Sequence, residues 1–200
     1  MTLDRVPLVQ PLSRAEIERR ANRLVAEIDP SLVNSPGEFP VLEVLEFRSL
    51  ELLGAEFDVS DELEPGVEGL MDPTMNTPQI RLSPEVYAAL QEGIPRARFT
   101  AMHEAGHAKL HAIQLREQGL KVQDGRLVFE LYRVERRKLR AFEDPEWQAN
   151  TFAGCVLMPG PAIMSLAVCG GIQVSAVQRL FGVSYSAAMT RIEKLGLRGY

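Results

Sequence analysis

Cysteine, histidine and tryptophan are all scarce in this sequence: two, three and one in 200 residues. Cys155 and Cys169 form no C-x-x-C pair. They read as reduced thiols that pack as small hydrophobes, not as a disulfide framework. No stretch approaches the ~20 apolar residues of a membrane span. Residues 1–11 hold no apolar run long enough for a signal peptide, so a cytoplasmic protein is expected. Repeats and low-complexity tracts are lacking too. The net charge of −5 argues against a surface built as a whole to coat nucleic acid. With 46% hydrophobic and 24% charged residues, the composition is that of an ordinary globular chain. Its length allows a full hydrophobic core without covalent staples.

The three histidines fall within nine residues, at positions 103, 107 and 111. The spacing around them predicts a long helix from Pro95 to about Gln118, ended by Gly119. His103 and His107 lie four apart and so share one face of that helix. Two imidazoles at this spacing can bind one Zn²⁺, and Glu104 sits beside them where it can take a proton from water. A third protein ligand is needed. Six residues after the second histidine the chain has Ile113, which excludes the three-histidine arrangement of the metzincins. A carboxylate on a later helix is the other common solution. Asp144-Pro145 opens such a helix, with Asp144 as N-cap. Glu146 is the candidate ligand, and Glu143, before the cap, competes with it. Asn150 follows Glu146 by four residues and would hydrogen-bond the outer nitrogen of His103. His111, one further turn along, reads as a structural histidine.

The surrounding pattern is mixed. Ser13-Arg14-Ala15-Glu16 reads as a capping box that starts a helix over 13–28. A second helix is expected over 41–53, stopped by Gly54. Short strands are expected at 55–59, 67–71 and 79–82, separated by Pro and Gly turns. Ser83-Pro84 starts another helix, and 126–134 reads as a strand or ordered loop. Helix, turn and helix follow at 174–180, 181–184 and 187–195. The expected fold is α+β and mainly helical, with a small twisted sheet of three strands. Residues 1–168 would form the main domain, and 169–200 a helix-turn-helix-like segment packed on it.

The stretch from Arg98-Phe99-Thr100 through His103-Glu104-Ala105-Gly106-His107 to Leu110-His111 resembles the ImmA/IrrE family of gluzincin-like metallopeptidases. Ala105 stands where that family usually has Leu. Glu146-Trp147-Gln148-Ala149-Asn150, ending at Leu157-Met158-Pro159, resembles the family's glutamate-helix signature. The resemblance spans roughly residues 13–197. It implies a zincin-like fold, with Zn²⁺ held by His103, His107 and Glu146 and Glu104 as general base. It further implies a protein substrate laid along an edge strand, for which 67–72 is the candidate. That substrate would be a helix-turn-helix repressor in a stress-response or mobile-element pathway. Tyr132 and Arg133 are candidate oxyanion donors. The basic run over 133–140 reads as a solvated face, or as a wall that steers an acidic partner. The alternative reading is a non-catalytic DNA- or protein-binding module with a structural or vestigial zinc site. Direct DNA contact by the C-terminal segment is not favoured over packing.

Overall fold

A computed structural model describes residues 5–74, 76–123, 126–169 and 171–200. The elements in chain order are β1 (Arg5–Pro7), α1 (Arg14–Ile28), α2 (Val41–Leu53), β2 (Glu56–Val59), β3 (Gly69–Asp72) and β4 (Gln79–Leu82). They continue with α3 (Pro84–Gln91), α4 (Pro95–Gly119), β5 (Leu120–Gln123), β6 (Arg126–Phe129), β7 (Arg133–Glu135), α5 (Pro145–Leu157) and α6 (Gly160–Met164). The chain ends with β8 (Gly171–Ile172), α7 (Val174–Phe181), α8 (Tyr185–Lys194) and β9 (Arg198–Gly199). This is an α+β fold dominated by helices. Among the described residues no helix is long and apolar enough to cross a membrane.

Helix starts follow local chemistry. Ser13, Ser83, Asp144 and Ser184 each cap a helix by accepting a backbone N–H, leaving fewer orphan donors in the first turn. The capping box at Ser13 forms only by half. Ser13 Oγ accepts the Glu16 N–H at 3.2 Å, but the Glu16 carboxylate turns to Arg19 and Arg20. Charge attraction along the helix face outcompetes the reciprocal cap.

The main sheet has the order β2-β4-β3, with β4 parallel to β2 and antiparallel to β3. β3 is therefore an edge strand, shifted by two residues from the expected 67–71. The 126–134 region splits into β6, which forms a hairpin with β5, and β7, which pairs with β1. The β1–β7 pair joins chain segments about 130 residues apart, a distance over which local patterning carries no signal.

α4 runs through the middle. Small residues, Ala97, Ala101, Ala105, Ala108 and Ala112, are buried along it, and α2, α3, α5, β3 and β4 all pack on it. Its closest approach is to α5. A Cβ built on Gly106 would stand 3.1 Å from both Cα and O of Ala149 and 3.3 Å from the ring of Phe152. The backbones thus meet where neither helix has a large side chain. One core cluster continues from here into the C-terminal helices, through Val177, Phe181, Ala188 and Ile192.

Two glycines in these helices should behave oppositely. Gly106→Val should lower the unfolding free energy by about 1–3 kcal/mol, because backbone atoms must move apart. Gly154→Ala meets nothing within 4 Å and should gain about 0.5–1 kcal/mol from helix propensity alone. Urea denaturation of the two variants beside the wild type measures both signs.

Candidate metal centre

The α4–α5 contact carries Glu146 to the histidine pair. Glu146 Oε2 lies 3.2 Å from His103 Nε2, and Oε1 lies 3.4 Å from His107 Nε2. The two Nε2 atoms are 3.1 Å apart. His103, His107 and Glu146 are the one such metal-competent group among the described residues, with ligand atoms all within 4.8 Å of one another. Glu143 takes no part. It sits in the turn before α5, where its carboxylate accepts the Arg140 N–H at 2.8 Å.

The hydrogen bonds of the outer nitrogens determine what the inner ones present. His103 Nδ1 is 3.2 Å from Asn150 Oδ1 and donates to it, which leaves the Nε2 lone pair facing inward. On the other ligand the constraint comes from further away. Gln148, fully buried, donates its amide N–H groups to the carbonyls of Gln10 and Phe142 at 3.0 and 2.9 Å. Its Oε1 therefore accepts from His111 Nε2, at 3.0 Å. His111 Nδ1 is then an acceptor and takes the proton of His107 Nδ1, at 3.2 Å. His107 is left with a bare Nε2. Two lone pairs and a carboxylate converge with no donor among them. Tetrahedral zinc with bonds of ~2.0–2.1 Å has ligand–ligand edges of about 3.3 Å. The Nε2–Nε2 separation of 3.1 Å is of that size, and each Nε2 has its own Glu146 oxygen at a similar distance, Oε2 at 3.2 Å from His103 and Oε1 at 3.4 Å from His107.

The closeness of these groups also shifts their titration. Burial depresses the His103 pKa, but the hydrogen bond to Glu146 and the charges of Glu104 and Glu146 outweigh it, so the net shift is upward. Glu146 is driven far below the usual carboxylate range, first by the hydrogen bond from His103 and then by that from His107. His111 is pushed down to about 3, mainly by burial, and stays neutral as the chain of hydrogen bonds requires.

Glu104 is buried, with 8% of its surface exposed, against β3. Burial raises its pKa, opposed first by the charges of His107 and His103 and least by the nearby Met71 backbone N–H. Gly69 makes room for it, since a Cβ there would come within 2.9 Å of Glu104 Cγ. These atoms border a cleft of about 470 Å³. β3 forms one wall, and Arg5, Arg133 and Arg136 stand on another. Tyr132 lies away from it, 75% exposed. The basic run is largely compensated: Arg136 pairs with Asp144, and Arg137 and Lys138 with Glu135. Sequence patterns gave no sign of the role of Gln148, because it depends on contacts between separate elements.

Two outcomes follow from this geometry. His111→Leu removes the acceptor for His107 Nδ1–H and should weaken zinc binding about 10–100-fold, read by competition with a chromogenic chelator. The raised pKa of Glu104 means that its neutral form is the one the fold favours. Its stabilising contribution is present below the ordinary carboxylate range and is lost as pH rises through the raised value. Zinc-free Glu104→Gln should therefore melt higher than zinc-free wild type at pH 7, and no higher at pH 4.

Residues 77–193 match the family model described as the IrrE N-terminal-like domain, peptidase family M78. No curated protein matches the chain. Among solved structures, a Mycobacterium tuberculosis transcriptional regulator shares the fold, with a TM-score of 0.51 and 18% identity over 88% of this chain. The chain spans 46% of that protein's length, and the likeness is one of fold. The family match takes in more than half of the chain, including His103, Glu104, His107 and Glu146, and the chain belongs to the M78 peptidase family of IrrE N-terminal-like domains.

Proposed function

We propose that this protein is a zinc-dependent endopeptidase, with His103, His107 and Glu146 as the metal ligands and Glu104 as the catalytic base. The convergence of three proton-free ligand atoms beside a buried carboxylate carries this reading. Zinc bound there would act as a Lewis acid, making water a better nucleophile and steadying negative charge on the substrate's carbonyl oxygen.

The chain's own groups do the rest. Glu104 accepts the proton of the attacking water and later returns it to the leaving amine. Its raised pKa suits both tasks better than that of an ordinary surface carboxylate. Asn150 and His111 keep the two imidazoles turned inward. β3 offers an open edge along the cleft, where an extended peptide would add as a further strand through main-chain hydrogen bonds. Arg133 lines the cleft and is the candidate to meet the oxyanion.

A helix-turn-helix repressor is the proposed substrate, in a stress-response or mobile-element pathway. Resemblance to the ImmA/IrrE peptidases supports this, and Arg5 and Arg133 on the cleft wall suit acidic residues near the cut.

Zinc-loaded wild type incubated with such a repressor should release fragments detectable by mass spectrometry. Glu104→Gln should retain zinc, by metal analysis, and cleave about 10²–10⁴-fold more slowly. Cleavage at the wild-type rate by the zinc-loaded variant would rule out the mechanism. A wild type that never cuts would favour a binding module with a vestigial site.

A further inference from the structure

A second cavity, of about 660 Å³, is larger than the catalytic cleft and shares no lining residue with it. Neither Glu104 nor any of the three metal ligands borders it. It is an open pocket bordered by the start of α1, the first turns of α4, the face of α5 that carries Gly154, and α8. A space of this size matches a small organic molecule and exceeds what one side chain would fill.

Its rim is cationic, although the protein carries a net charge of −5. Arg14, Arg96, Arg191 and Lys194 line it, against one acid, Glu68. Arg191 is neutralised by Glu18 at 2.5 Å, and Arg96 by Glu68 at 2.6 Å. Arg14 and Lys194 have no ion-pair partner among the described residues. They are also held together, since Arg14 Nη1 donates to the Lys194 carbonyl at 3.4 Å. Partial burial, and after it the charge of Arg14, lower the Lys194 pKa. Arg14 is unfavourable locally as well. It is the first residue of α1, where a positive charge opposes the helix dipole. Local costs of this kind are expected at functional sites. The floor is apolar, formed by Phe99, Met158 and Ala187. Thr151, 5% exposed, also borders the cavity, and its hydroxyl has no hydrogen-bond partner.

We propose that this cavity is a binding site for a small amphipathic anion, a carboxylate or phosphate monoester carried on an apolar body. Arg14 and Lys194 take the charged group, and the Phe99–Met158 floor takes the body. Asn150 lines the same cavity and hydrogen-bonds His103, so the ligand would lie one residue from the metal site. The inference does not rest on peptidase activity.

Isothermal titration of the zinc-loaded chain with phenyl phosphate, with phenol and inorganic phosphate as controls, tests it. Phenyl phosphate should bind at least about tenfold more tightly than either control, and more weakly as salt is raised. Arg14→Gln/Lys194→Gln changes exposed side chains away from the metal. It should weaken phenyl phosphate at least about tenfold, leave phenol binding unchanged and leave zinc content intact. Gly154→Leu projects into open space and should block phenyl phosphate by filling the cavity. Binding that survives both variants belongs to the metal centre and overturns the proposal. Equal affinity for phenyl phosphate and phenol overturns it as well.

Discussion

The close crossing of α4 and α5 at Gly106 and Ala149 is the contact on which the rest of the structure depends. α4 by itself carries two imidazoles and a carboxylate, and α5 carries the remaining ligand and its neighbour Asn150. Only an approach this close brings Glu146 to within 3.4 Å of both histidines. Any larger residue at position 106 would meet the Ala149 backbone, which cannot turn aside as a side chain can. Interior packing and site geometry are here the same constraint.

The crossing also buries a polar chain that would be costly if any link were missing. Gln148, His111 and His107 are joined in sequence, and the direction of every hydrogen bond follows from the two carbonyls that accept from Gln148. One of these carbonyls belongs to Gln10, ahead of α1, and the other to Phe142, in the turn before α5. The N-terminal segment is thereby tied to the state of a candidate ligand. β1 extends the tie, pairing with β7 and bordering the cleft. The buried hydrogen bonds leave the His107 Nε2 lone pair facing Glu146 and His103.

The C-terminal helices contribute on the opposite side of α5. Phe181, Ala188 and Ile192 of α7 and α8 join the common core, and Arg191 is almost wholly buried against Glu18 and Met158. A cation held this way serves packing and is not displayed for a partner. What these helices leave open is the cavity beside α8, where Arg14 and Lys194, without ion-pair partners among the described residues, lie at the meeting of four helices.

Much of this was legible without coordinates. Ser13, Ser83 and Asp144 marked helix starts, because a cap is satisfied by backbone two or three residues away. The i, i+4 histidines placed themselves on one face, because helical periodicity is local. Glu146 and Asn150 were identified by their spacing and by resemblance to a known signature. Tertiary structure alone decided that Glu146 and not Glu143 reaches the histidines, that Gly69 makes room for Glu104, that Gln148 sets the His107 proton, and that Arg14 meets Lys194. Each of these joins residues from different elements, tens to well over a hundred positions apart in most cases. Their meeting is governed by how whole helices and strands pack, for which no short stretch of sequence carries a signal.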